Sequence, residues 1–102
     1  MAQKAILEQA NEEITKVTEL LYQQKDQEGY ALLNKTLATI AQAIEVIFAW
    51  QHEQQMDEST QQEMVDVLTQ AMQAMEQKDT VLLADILKYE LLERFEVILE
   101  EM

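Results

Sequence analysis

Residues able to bind a metal ion are scarce. His52 is the only histidine, and the chain has no cysteine. Helical bundles can bind two metal ions through glutamates and Glu-x-x-His motifs on facing helices. The residue three before His52 is Ala49, so that motif is absent. A calcium loop needs a glycine at its sharp turn, and the stretch from Asp57 to Thr60 has none. We therefore predict no metal site and no bound cofactor.

The carboxylates and hydroxyls do not form a catalytic pattern either. Glu93, Glu96 and Glu100 recur at spacings of three and four. Paired carboxylates perform acid–base chemistry when burial raises the pKa of one of them. This spacing is better explained by the solvated face of a helix. Ser59 is the only serine and has no neighbouring base, and one glycine cannot build a phosphate loop. We predict that the protein is not an enzyme.

The charge of the chain limits its partners. Its 102 residues include 20 acidic and 7 basic side chains, a net charge of -13. Phosphate backbones and anionic lipids would be repelled, so we predict no nucleic-acid and no membrane partner. A basic or neutral partner stays open, as does the simpler role of charge in solubility. Residues 1–8 lack the apolar run of a signal peptide, and no stretch approaches the length of a membrane span. These features predict a cytoplasmic protein.

Apolar periodicity predicts an all-α fold. The chain has no proline and one glycine, which favours long helices over strands and turns. Apolar residues at spacings of three and four predict helices at Ala2–Gln24, Tyr30–Glu53, Ser59–Gln77 and from Thr80 onward. The breaks fall near residues 25–29, 54–58 and 78–79, with Gly29 in the first and Asp79 as the cap of the last helix. We predict one domain over residues 1–102, a four-helix up-down-up-down bundle.

A short repeat suggests two similar helical hairpins. Gln24-Lys25-Asp26 recurs as Gln77-Lys78-Asp79, and each copy precedes a helix with paired leucines. Two such hairpins packed together would form the bundle. Chance similarity between amphipathic helices is the other explanation.

The second and fourth helices carry more apolar surface than one core needs. A bundle helix buries one stripe, so a second stripe needs another helix, a partner or another copy of the chain to cover it. The second stripes define the predicted interface: Leu32, Val46 and Trp50 on the second helix, and Leu82, Ile86, Tyr89 and Val97 on the fourth. Alternatively, an irregular bundle buries both stripes internally.

One segment resembles a known group of proteins. Met75–Leu91 combines an acidic cap, a run of aliphatic residues, Ala84-Asp85 and Tyr89-Glu90. It resembles a segment of small uncharacterised helical-bundle proteins of Gram-positive bacteria, and this resemblance transfers no role to any residue. In size and class alone, the chain also resembles small helical chaperones that hold exported subunits.

Two functions fit these features. The first is a structural or adaptor module that acts through protein–protein contacts, as a homodimer or with a helical protein partner. The alternative is a chaperone-like module that binds an apolar helix of a client.

Overall fold

The computed structural model describes residues 2–55 and 59–102. These residues form an all-α, four-helix up-down-up-down bundle without strands, as predicted. The first three helices are α1 (Ala2–Tyr22), α2 (Asp26–Glu53) and α3 (Ser59–Glu76). The fourth helix consists of α4 (Thr80–Asp85), a π-helical segment (Ile86–Leu92) and α5 (Glu93–Glu101) in direct succession. Of the predicted break at 54–58, residues 56–58 lie outside the described residues.

The core receives buried side chains from all four helices. α1 packs against α2 and the fourth helix, and α3 packs against the fourth helix. The largest fully buried side chains include Leu7, Ile14, Leu33, Leu91 and Phe95. Each side chain of this kind contributes roughly 1.5–3 kcal/mol by leaving water. The 28 residues of α2 span about 42 Å at the α-helical rise, which accounts for the 41 Å long axis of the molecule.

Left-handed residues end the first three helices. Gln24, Gln55 and Lys78 have φ values of 62°, 56° and 56°. After α1, the Lys25 amide donates to the Leu20 carbonyl over 2.9 Å, the six-residue bond of a Schellman motif. Glycine is the usual residue at this position because it lacks a Cβ. None of the three is a glycine, yet the apolar periodicity predicted all three helix ends to within two residues.

The two hairpins are equivalent in backbone but not in sequence register. After α3, the Asp79 amide donates to the Ala74 carbonyl over 2.9 Å, as Lys25 does after α1. Lys78 therefore occupies the place of Gln24. The sequence repeat instead aligns Gln24 with Gln77. The repeat is thus one residue out of step with the structure.

The two predicted helix starts had different outcomes. Asp79 caps the fourth helix as predicted, since its side chain accepts from the Leu82 amide over 3.2 Å. The assignment of Gly29 to a loop is wrong, because Gly29 is buried within α2. A Cβ at Gly29 would lie 2.7 Å from Cδ2 of Leu21. A side chain at this position would therefore require Leu21 to move.

The fourth helix is wound more loosely at its centre than an α-helix. Four of its buried apolar residues recur at every fourth position: Leu83, Leu87, Leu91 and Phe95. In an α-helix, four residues turn by about 400°, so each step would rotate this row by about 40°. The π-helical segment has i→i+5 hydrogen bonds and a wider turn. It cancels much of that rotation and keeps the row facing the core.

This winding also corrects one predicted interface residue. Ile86 was predicted to lie on an outward stripe, yet it is 6% exposed and belongs to the core. The prediction assumed one α-helical period along the whole helix. The winding changes at Ile86. Counting back from Phe95 with a uniform α-helical period therefore gives the wrong buried face for this part of the helix.

The length of α2 corrects another prediction. By length and composition alone, α2 could cross a membrane. The prediction that no stretch approaches the length of a membrane span is therefore wrong. The core helix of a soluble protein passes the same test, and 33% of the 18-residue apolar window is buried inside the bundle. Thr36, Thr39 and Gln51 are among the buried residues of α2. In this structure α2 is a bundle helix.

Candidate functional site

The outer face of the fourth helix carries a row of exposed apolar side chains. Leu82, Tyr89 and Val97 are 43%, 54% and 54% exposed. All three belong to the predicted interface. They lie on the face opposite the buried leucines of the same helix. Their exposure agrees with the prediction, and their role in an interface stays a prediction.

The predicted interface residues of α2 lie in a different environment. Leu32 and Val46 are half-buried and pack against the core, and Trp50 is half-buried. Thr39 belongs to the same stripe, and its hydroxyl donates to both oxygens of Glu13 on α1, over 3.0 and 3.2 Å. This stripe therefore faces α1, and contacts within the bundle cover much of it. It does not form one continuous surface with the exposed row on the fourth helix.

Glu13 is a structural carboxylate. Burial on its own raises the pKa of this carboxyl. Side-chain hydrogen bonds from Gln9, at 2.8 Å, and from Thr39 and Thr36, with the charge of Lys35, outweigh burial and hold the pKa below its usual 4.5. Glu13 is therefore ionised at neutral pH and unsuited to act as a general acid.

A groove of about 550 Å³ runs between α3 and the second half of the fourth helix. We call it the Arg94 groove. It contains four carboxylates and one guanidinium beside the exposed Tyr89 and Val97. Its lining residues are Gln51, Glu63, Met64, Tyr89, Glu90, Glu93, Arg94, Val97, Ile98 and Glu101.

Arg94 holds the two walls of this groove together. Its Nη1 lies 3.0 Å from Oε2 of Glu63 on α3, and its Nη2 lies 3.7 Å from Oε2 of Glu90 one turn earlier. Glu93 and Glu101 line the same groove and form no ion pair within residues 2–55 and 59–102. The groove therefore has a surplus of negative charge.

Two buried polar atoms of the groove residues are unpaired. Gln51 is 3% exposed. Neither Oε1 of Gln51 nor Nε of Arg94 has a hydrogen-bond partner in the described part of the chain. A buried polar group without a partner costs about 1–3 kcal/mol. One atom is an acceptor and the other a donor, and neither is accessible at the groove surface, so a polar ligand can pair with them only after the surrounding side chains move.

The sequence contained a signal for Gln51 that the prediction missed. Tyr30, Leu33, Leu37, Ile40, Ile44 and Ile47 form a seam with alternating steps of three and four. The next step reaches Gln51. A polar residue in such a seam costs stability and is typically retained for specificity. Arg94 had no comparable signal, because its partner Glu63 lies on another helix.

A second polar cluster joins α1 to the fourth helix. The Tyr22 hydroxyl donates to Oδ1 of Asp85 over 2.5 Å. Lys88 Nζ lies 5.6 Å from the ring centre of Tyr22 and 5.3 Å from that of Tyr89, within reach of a cation–π attraction. Burial, the hydrogen bond to Asp85 and the Asp85 charge raise the pKa of Tyr22 to about 12. The cluster is a surface contact between helices.

A smaller groove of about 160 Å³ opens between α2 and α3 and is purely apolar. Leu83 and Leu87 of the fourth helix also line it. The remaining lining residues are Leu33, Leu37, Ile40, Ala41 and Ile44 of α2, with Leu68, Ala71, Met72 and Met75 of α3. Part of the α2 seam therefore borders a solvent-accessible groove.

No group of three or more His, Asp or Glu side chains in the described residues could hold a metal ion.

Comparisons place the chain in a family. No curated protein and no solved structure matches the chain. A family model described as "Domain of unknown function (DUF8042)" matches residues 4–101. This match confirms an uncharacterised family, and the Gram-positive origin stays a prediction. The chain belongs to the DUF8042 family.

Proposed function

We propose that this protein is a non-enzymatic module that acts through protein–protein contacts, with the Arg94 groove as its binding surface. One observation carries the proposal: the buried Gln51 amide has an unpaired oxygen and lines a groove that is open to solvent. Such an atom destabilises the free protein. A partner that donates a hydrogen bond to it would recover that loss.

The composition of the groove supports the proposal. Tyr89, Val97, Met64 and Ile98 provide apolar area, and charged residues surround them. Protein interfaces combine an apolar centre with a polar rim and favour aromatic anchors. Tyr89 is the natural anchor because more than half of its surface is exposed.

The length of the groove fits a helix. From Tyr89 to Glu101 the fourth helix advances by about 18 Å, or roughly three α-helical turns. A partner helix lying between α3 and the fourth helix would use the helix-in-groove mode of recognition. Holding an exposed helix of a client, as a chaperone does, is one form of this activity.

Titration with amphipathic helical peptides tests the proposal. We expect binding by fluorescence anisotropy, and about tenfold weaker binding to Tyr89→Ala because an aromatic anchor is lost. Val81→Ala is the matched control, since Val81 is exposed on the same helix but lies outside the groove. If no such peptide binds, or if both variants bind equally well, the groove is not the binding surface.

Self-association is the second candidate function. The exposed row Leu82, Tyr89 and Val97 favours it, because a homodimer would cover this row. Acidic residues Asp85 and Glu93 and basic residues Lys88 and Arg94 lie between these residues, so the charges alone do not decide whether a two-fold contact forms. Light scattering separates the candidates: a dimer that Leu82→Glu splits supports self-association, and a monomer at all concentrations supports the groove.

The net charge of -13 supports one more part of the proposal. We infer that neither nucleic acid nor an anionic membrane is a partner, and that the protein acts in the cytoplasm. A salt-sensitive gel shift with DNA or RNA would contradict this. Sedimentation with phosphatidylserine vesicles would contradict it equally.

A further inference from the structure

We propose that the partner segment of the Arg94 groove is a basic amphipathic helix, one of whose lysine or arginine side chains enters the groove and donates a hydrogen bond to Gln51. This inference rests on the proposed function. It names the chemistry of the partner, which the proposed function leaves open.

The charges of the groove select a cationic partner. Arg94 is engaged by Glu63 and Glu90. Glu93 and Glu101 line the same groove and have no ion pair among the described residues. The rest of the molecule is also acidic, so a basic segment is attracted from a distance and an acidic one is repelled.

The unpaired atoms agree with this choice. Oε1 of Gln51 is an acceptor, and ammonium and guanidinium groups only donate. Nε of Arg94 is a donor and needs an acceptor. In a helical peptide the carbonyl oxygens outside the last turn already accept hydrogen bonds, so the choice of partner rests on Gln51 and the charges of the groove, not on Arg94 Nε.

A second copy of this chain does not fit the groove. The basic residues are Lys4, Lys16, Lys25, Lys35, Lys78, Lys88 and Arg94. No two of them lie three, four or seven residues apart, so no helix of this chain presents a basic stripe. The occupant is therefore a different protein.

Two peptides test the inference. The first is an amphipathic leucine–lysine helix of about 18 residues, long enough to fill the groove. The second has glutamine in place of every lysine. We expect the lysine peptide to bind at least about tenfold more tightly by fluorescence anisotropy, and its affinity to fall as salt is added.

A substitution without charge change tests the role of Gln51. Gln51→Leu removes the acceptor and preserves much of the shape, so we expect about tenfold weaker binding of the lysine peptide. The melting temperature should rise, because an unpaired buried group is removed. Thr36→Val is the matched control: Thr36 is also a buried polar residue of α2, but it does not line the groove. This control should leave peptide binding unchanged.

A pair of surface substitutions tests the position of the charge. Glu93→Gln should weaken binding of the lysine peptide severalfold and reduce its dependence on salt. Glu12→Gln makes the same change of charge on an exposed position of α1, outside the groove. We expect it to change binding less than about twofold, since exposed charges are screened beyond about 10 Å.

The outcomes separate this inference from the proposed function. If both peptides bind equally and Tyr89→Ala weakens both, the groove binds proteins but the cationic partner is overturned. If neither peptide binds, both proposals fail. If the lysine peptide binds, Gln51→Leu has no effect and Glu12→Gln matches Glu93→Gln, the attraction is diffuse and the inference is overturned.

Discussion

The α1–α2 hairpin differs in packing from the half of the molecule formed by α3 and the fourth helix. In the hairpin, Leu7, Ile14 and Val17 of α1 are completely buried. Gly29 of α2 packs closely against α1, and the Thr39 hydroxyl is paired. The other half contains the Arg94 groove, one wall of the apolar groove and the π-helical segment.

This difference indicates a division between scaffold and binding surface. A tightly packed hairpin supplies stability, while a half with grooves and exposed side chains can accept a partner. π-helical turns and unpaired buried groups are uncommon and occur often at functional sites. In this bundle the π-helical turn lies in the fourth helix. Unpaired buried atoms occur at Gln51 and Arg94 of the Arg94 groove, and also at Asn11 of the hairpin.

Ile86→Glu should have the largest effect. Ile86 belongs to the core although it lies in the more open half, so a carboxylate there would be buried without a partner. We expect a loss of at least about 4 kcal/mol in the free energy of unfolding, measured by urea denaturation followed by circular dichroism. Tyr89→Glu, three residues further on and exposed, should cost less than about 1 kcal/mol. Equal losses would place Ile86 outside the core.

Gly29→Val tests the close packing of the hairpin. Its side chain would clash with Leu21, and overpacking of this kind costs about 1–3 kcal/mol. Ala31→Val places the same side chain two residues later at an exposed position of α2. We expect it to cost no more than about 0.7 kcal/mol through helix propensity alone. If both variants unfold at the same urea concentration, the hairpin is less tightly packed than described.

Lys78→Gly should stabilise the protein by about 0.5–1 kcal/mol. Lys78 ends α3 with a φ of 56°, a conformation that glycine adopts without the steric cost of a Cβ. Gln24→Gly should have a similar effect in the other hairpin, because Gln24 has a φ of 62°. Thermal denaturation measures both gains. A loss of stability in either variant would show that the side chain contributes more than its backbone strain costs.

The contact between the two halves should appear in a tyrosine titration. The pKa of Tyr22 is raised from 10.0 to about 12, so the folded state favours the protonated phenol. This stabilisation is complete below pH 10 and is lost as the pH rises toward 12. By ultraviolet absorbance, Asp85→Asn should move the Tyr22 titration back toward its usual pKa. An unchanged titration would contradict the hydrogen bond between Tyr22 and Asp85.

Local patterns predicted the fold, while contacts between helices decided the parts that were missed. Spacings of three and four indicated all four helices, and the side chain of Asp79 indicated where the last one begins. Gly29 was placed in a loop because glycine usually marks a helix end. Its actual role depends on Leu21, which lies on another helix, so no local pattern could indicate it.

The candidate site was only partly predicted, because it too depends on contacts between helices. Tyr89 and Val97 were identified because an exposed apolar row has a regular spacing. Ile86 was misplaced because the winding of the fourth helix changes there. Gln51 and Arg94 are brought to one groove from α2 and the fourth helix, and only the tertiary structure shows that both carry unpaired atoms.

Mapping of backbone amide chemical shifts tests the central claim most directly. The isotope-labelled protein is titrated with the leucine–lysine peptide, and the amides that shift are located. We predict that they cluster around the Arg94 groove, from Tyr89 to Glu101 and near Glu63 and Gln51, with few changes in α1. Shifts that cluster at the apolar groove between α2 and α3, or that spread evenly over the acidic surface, would contradict the assignment of the binding surface.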